Sequence, residues 1–230
     1  MSIRLKQFTF TAAAALILAT LPAAGQTFPA YRAPRFPGTE NPDLNGIWQA
    51  VNAADWDLEP HAAGPSPFPS LLGAIAAEPA GQGVVEGGQI PYQPWARDRK
   101  NENFKQRFTH PTSLQINEAA GDPEAKCYLP GVPRATYMPF PFRLVQSSKQ
   151  VLIAYEFASA SRIVYMDRKP KIPADAWMGW SVGHWEGDTL VIDVTSQVDR
   201  TWFDRAGNFH SDALHVVERY TPASPLSSAV

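Results

Sequence analysis

Two patterns of hydrophobic and polar positions run along this chain, and one gives way to the other near Phe142. Beyond that point apolar and polar residues alternate in short runs, the period of a half-buried β-strand whose successive side chains face opposite ways. The runs fall at 142–146, 151–157, 162–166, 177–185, 189–194 and 214–220, and turn-forming residues separate them. In 151–157, Ile153, Tyr155 and Phe157 share one face while Leu152, Ala154 and Glu156 share the other. Ser147-Ser148-Lys149-Gln150 reads as a hairpin connection. Glu186-Gly187-Asp188 is a tight-turn signal, because Gly beside Asp supplies the positive φ that primed turns need. Short strands joined by short turns predict a mainly β fold, an antiparallel meander, and curling it toward a barrel removes exposed edges.

The first half has no such alternation. Of 22 prolines, 18 lie at or before Pro141, so this half must be loop-rich. After a turn cluster at 41–46, Ile47 to Val51 is a short strand carrying Trp48. From Asn52 to Gln89 the chain is rich in Ala, Gly and Pro without a period, which predicts a functional covering loop or a partly mobile segment, one that orders against a partner if the protein is an interaction module. Pro94 begins one short helix, about 94–107, since proline is tolerated in the first turn and straight-chain residues follow. Trp95, Phe104 and Phe108 are its expected apolar stripe, and Arg97, Arg99, Lys100, Lys105 and Arg107, interleaved with Asp98 and Glu102, its expected solvated face.

Met1 to Gly25 reads as a secretory signal peptide: Arg4 and Lys6, an apolar core from Phe8 to Leu18, then Ala23-Ala24-Gly25 as a small-residue cleavage site. Position 26 is Gln rather than the Cys that lipid attachment requires. The expected organisation is a signal at 1–25, an extended segment at 26–45, one β-rich domain at 46–220 and an irregular tail at 221–230. The expected location is periplasmic or extracellular, with no membrane span once the signal is removed. Removal of Arg4 and Lys6 leaves 18 basic and 22 acidic residues, with no concentration of positive charge, which argues against a nucleic-acid partner. Cys127 is the single cysteine, so no intramolecular disulfide is possible, and a buried, inert thiol is the default reading.

Chemistry-bearing side chains gather near the C-terminal end. Asp204, Arg205, His210 and Asp212 are candidate catalytic residues, since a carboxylate facing an imidazole across a turn can orient it as a base. Each of them also has a turn-stabilising role open to it. His210, Asp212, His215 and Glu218 offer metal ligands, but strand parity divides them and no recognised zinc spacing is present, so no metal site is assigned. Seven Trp and seven Tyr residues suggest a ring-lined interior, with Trp48, Arg134, Tyr155, Tyr165 and Trp202 as candidate ligand contacts. Phosphate loops, nucleotide fingerprints and nucleophile elbows are missing, and no cofactor is expected. The leading expectation is an exported protein that binds a small apolar or aromatic ligand. The alternatives are a periplasmic hydrolase, lyase or isomerase using the 204–212 residues, and a protein-interaction module.

GQGVVEGGQIPYQPW (81–95), KCYLPGVPRATYMPFPF (126–142), HWEGDTLVIDVT (184–195) and TWFDRAGNFHSDALHVVERY (201–220) resemble a large group of exported bacterial β-rich proteins of unassigned function. The resemblance implies export and a β-rich fold. Members of that group continue past the equivalent of Tyr220 with more sheet-forming sequence, which implies a truncated or frameshifted ending here. Gly46-Ile47-Trp48 more weakly resembles the early strand of lipocalin-like barrels, implying such a barrel, closed or partly open, with an Arg stacked on the Trp.

Overall fold

The computed structural model describes residues 31–68, 70–71, 76–108, 121–167 and 172–223. Contacts divide the chain into Met1–Arg32 and Ala33–Val230, and every element named below belongs to the second unit. Of the first unit, Tyr31 and Arg32 are described, and both are exposed. The expected signal peptide, residues 26–30 of the extended segment and the tail from 224 onward lie outside the described residues.

Seven strands form one sheet in sequence order: β1 (Gly46–Trp48), β2 (Phe142–Gln146), β3 (Gln150–Tyr155), β4 (Ser161–Met166), β5 (Trp180–Glu186), β6 (Thr189–Thr195) and β7 (Val216–Tyr220). The sheet curls into a half-barrel, so the fold is mainly β and the barrel partly open. Alternation explains the curl's inside face. Phe142 and Leu144 of β2, Val151, Ile153 and Tyr155 of β3, Val164 and Met166 of β4, and Leu190, Ile192 and Val194 of β6 are buried in one cluster. Each such aliphatic side chain contributes about 1.5–3 kcal/mol on leaving water. Leu44, Val132, Ala135, Ala160 and Met178 complete the cluster, so the interior of the half-barrel is packed with side chains.

Turn chemistry accounts for the strand ends. Glu186 pairs with Thr189, leaving Gly187 and Asp188 as a two-residue turn, and Gly187 has the positive φ expected there (59°). β1 is shorter than the alternation predicts. Its last pair is Trp48 with Phe142, and the residue before Phe142 is Pro141, whose missing N–H cannot extend the ladder. The expected meander is also broken once: β4 and β5 run parallel, whereas the other neighbours are antiparallel. A parallel pair needs a crossover of about a dozen residues, and the 167–179 connection supplies it.

A polar knot sits among the apolar side chains of the concave face. Arg162 of β4 donates to Tyr155 (3.1 Å), Ser181 (3.1 Å) and Glu218 of β7, the closest Arg162–Glu218 approach being 2.6 Å. Thr136 Oγ1 lies 3.1 Å from the Tyr155 hydroxyl and 3.5 Å from that of Tyr220. These bonds draw β3, β4, β5 and β7 toward one point above the sheet, as its curl requires.

Helix α1 spans Pro94–Gln106, and a single helical turn, α2, spans Arg134–Tyr137. The expected stripe on α1 is corrected: Trp95, Phe104 and Phe108 are exposed, and the buried residue is Ala96, packed with Trp202 and Phe209. Cys127 is likewise exposed rather than buried, held at φ 56° at the end of a short 3₁₀ turn over Pro123–Lys126. No helix among the described residues is long and apolar enough to cross a membrane.

Candidate functional site

Three sequence-distant segments meet at one place: the described parts of loop 52–89, helix α1 and the loop at 203–208. The first doubles back on itself. Gln82 donates its backbone N–H to Asp57 (2.9 Å), Val84 to Leu58 (3.2 Å) and Gly81 to His61 (3.0 Å), while Gly64 pairs with Glu78. The returning segment therefore holds 57–61 in place.

The 203–208 loop is closed by a Trp202–Phe209 bridge and packs on α1. Gly207 makes that approach possible. Its φ is 84°, and a Cβ there would stand 2.8 Å from the Asn103 Cβ and the Phe104 backbone nitrogen. Asp204 fixes the loop from within: its carboxylate accepts from the backbone of Asn208 (3.1 Å) and Leu58 (3.0 Å) and from Asn208 Nδ2 (2.7 Å). The same Asn208 Nδ2 reaches Asp57 Oδ1 at 3.2 Å, so one amide bridges two carboxylates. Burial pushes the Asp204 carboxyl up to about 7, opposed by those hydrogen bonds and reinforced by Asp57. Burial also raises Asp57.

Behind the loops lies a buried ionic cluster. Arg134 donates through Nε to Asp55 (2.8 Å), in a fork to Asp122 (2.8 and 3.0 Å) and through Nη2 to Glu124 (2.7 Å). Burial alone would lower its pKa, but attraction from Asp122 and Asp55 outweighs that and keeps the guanidinium charged. Arg205 completes the cluster with a second fork onto Glu124 (2.8 and 2.6 Å) and lies 4.4 Å above the Trp56 ring. A planar guanidinium suits both tasks, and a lysine could perform neither as well.

In front of Arg205 opens a hollow of about 370 Å³. Trp56, Asp57, His61, Glu78 and Pro79 wall it from the loop, Lys100, Asn101 and Phe104 from α1 with Arg107 just past its end, and Arg205 and Ala206 from the 203–208 loop. Lys100 and Arg107, expected on a solvated helix face, instead turn inward, with side chains 17% and 12% exposed. Arg107 pairs with Glu78 (3.1 Å) and lies 3.7 Å from the Phe104 ring centre. Lys100 has a longer pair, 3.9 Å from Glu59. A second hollow of about 210 Å³ shares Arg107 and Arg205 with the first.

The residues singled out from sequence scatter relative to this site. Among the candidate catalytic residues, Asp204 is buried behind the wall, Arg205 lines the hollow, His210 is buried elsewhere and Asp212 is exposed in a turn. His210 is occupied on both ring nitrogens. Nδ1 lies 2.9 Å from the Ser211 carbonyl and must carry the hydrogen, so Nε2 accepts from the Thr201 hydroxyl at 2.6 Å. Burial lowers its pKa and favours this neutral form.

The candidate ligand contacts do not converge either. Trp48 sits on the edge strand with its indole N–H on the Leu44 carbonyl (3.0 Å), and the arginines found over aromatic rings among the described residues stand over Phe104, Phe108, Phe209 and Trp56 instead. Arg134 serves the ionic cluster, Tyr155 the polar knot and Trp202 the α1 contact, while Tyr165 lies half-buried on β4. The possible metal ligands separate: His215 pairs with Asp193 (3.0 Å) and Glu218 with Arg162.

Sequence reading missed Trp56, Asp57, His61, Lys100 and Arg107 as a set. The one local signal was Asp57 four residues before His61, within a stretch that has no periodicity. Comparison with known proteins returns no match to a family model, a curated protein or a solved structure.

Proposed function

We propose that this protein binds a small organic molecule with an aromatic or apolar body and an anionic group, in the hollow between loop 52–89, α1 and the 203–208 loop. The observation that carries the reading is the composition of the wall. Trp56 and Phe104 offer rings, each with a guanidinium already over it, and Lys100 and Arg205 offer cations beside the carboxylates of Asp57 and Glu78, within about 370 Å³, a volume in the range of small-ligand sites. Arg205 meets Glu124 through Nε and Nη2, which leaves Nη1 for an incoming carboxylate. Binding outside the cytoplasm is part of the proposal and is supported by the leader pattern of residues 1–25.

Because Trp56 is in the wall, ligand entry should change tryptophan emission. Titration with benzoate, cinnamate and 1-naphthoate should give at least one saturable change. Arg205→Lys should weaken that binding about tenfold, through loss of the planar fork. A folded protein with no saturable response to any of the three would overturn the reading.

A further inference from the structure

Asp57 and His61 face the hollow from one turn of loop 52–89, with Asp57 Oδ2 3.8 Å from His61 Nε2. Neither side chain is free to choose its direction. Asp57 Oδ1 accepts from the Glu59 backbone N–H (2.8 Å) and from Asn208 Nδ2 (3.2 Å), so its other oxygen is turned toward the imidazole. His61 Nδ1 lies 2.8 Å from the Ala62 carbonyl, which can only accept. That nitrogen therefore carries the hydrogen, and Nε2 of the neutral ring is left as the acceptor, 3.8 Å from Asp57 Oδ2.

Gly81 backs the ring: a Cβ there would stand 2.8 Å from His61 Cδ2 and 2.0 Å from the Glu59 carbonyl oxygen. A separation of 3.8 Å is too long for a direct hydrogen bond. It does allow one oxygen atom to lie within about 2.8 Å of both groups.

We propose that Asp57 and His61 form a proton-transfer pair that activates water against a carboxylic ester of the ligand class proposed above. The inference rests on that binding reading. In the first step His61 Nε2 takes a proton from water as the water oxygen bonds to the acyl carbon, and the carbonyl electron pair moves onto its oxygen. That pair returns as the ester C–O bond breaks, and the departing alcohol oxygen takes the proton from His61. The acid product then loses its own proton to solvent, so no oxidant or co-reactant is needed. Asp57 orients the water and balances the imidazolium, while Lys100 and Arg205 in the same wall meet the charge on the acyl oxygens. Asn208 acts through Asp57 and is a positioning residue.

The test uses 4-nitrophenyl benzoate, followed by nitrophenolate release, beside benzoate binding followed by tryptophan emission. Wild type should turn over above buffer. His61→Gln should lower kcat about a hundredfold with KM and benzoate affinity little changed, as expected for loss of a general base. Asp57→Asn should lower kcat in the same direction and gives a second route if one variant fails to fold by circular dichroism. His184→Gln, at a half-buried histidine on β5 paired with Glu186, should turn over like wild type and controls for imidazole chemistry away from the hollow.

Hydrolysis in folded His61→Gln and Asp57→Asn at the wild-type rate would overturn the pair. Saturable benzoate binding with no turnover would overturn the pair and leave the binding reading standing. Neither binding nor turnover would remove both.

Discussion

Asp204 is wholly buried, and the three hydrogen bonds it accepts do not offset the loss of water around its charge, so its carboxyl titrates near 7 rather than near 3.8. The sign of the consequence is unusual for an aspartate. Between about pH 4 and pH 7 the folded chain keeps a proton that the unfolded chain has released, so this group's contribution is greatest at low pH and is lost as pH rises toward 7. The effect is at most about 4 kcal/mol. Asp204→Asn cannot ionise, but its amide N–H groups face donors that the carboxylate accepted. The variant should therefore be less stable than wild type at about pH 4.5, and the gap should narrow at about pH 7.5. Urea unfolding midpoints at both pH values measure it, and a gap that widened with pH would contradict the assigned direction. Burial raises Asp55 and Asp57 as well, so some of the same slope remains in both proteins.

At the scale of elements, the hollow depends on how closely the 203–208 loop lies on α1. Gly207→Ala would put a methyl group against the Asn103 Cβ and the Phe104 nitrogen at a left-handed φ. We expect a cost of about 1–3 kcal/mol in unfolding free energy and weaker benzoate binding, because Arg205 and Ala206 move with the loop. Normal stability with normal affinity would show that the approach is unimportant to the site. The same contact marks the boundary of what could be read from sequence. Strands β2 and β6 follow from alternation and turn residues almost to the residue, since both signals are local. The parallel β4–β5 pair was not legible, because nothing within either strand states its direction. Arg205 was legible as a candidate, yet its partners Glu124 and Trp56 stand far from it in sequence. Asp57 and His61 sit in a stretch without period, and their roles are fixed by Asn208 and Gly81, which alternation cannot bring together.

For the whole molecule, the seven described strands leave a half-barrel with two edges, β1 and β7, and no strand pair closes it among the described residues. β1 reaches β2 across a long loop, Gly46 pairing with Leu144, and makes three register pairs. β3, β5 and β6 are flanked on both sides. Amides of β1 should therefore exchange with solvent before those of β3, β5 and β6, because an edge strand that closes a long loop opens at little cost. β7 is an edge too, but Glu218 ties it across the concave face to Arg162 of β4 and, through Thr136, to α2. Glu218→Gln keeps the shape and removes the charge, leaving Arg162 buried with the neutral partners Tyr155 and Ser181. Breaking one side of a buried pair costs about 3–5 kcal/mol. If the pair holds the curl locally, hydrogen exchange in the variant should accelerate over Val216–Tyr220 well before it changes in β3. Uniform acceleration across the sheet would show instead that the pair supports global stability and that β7 is held by its ladder with β6 alone.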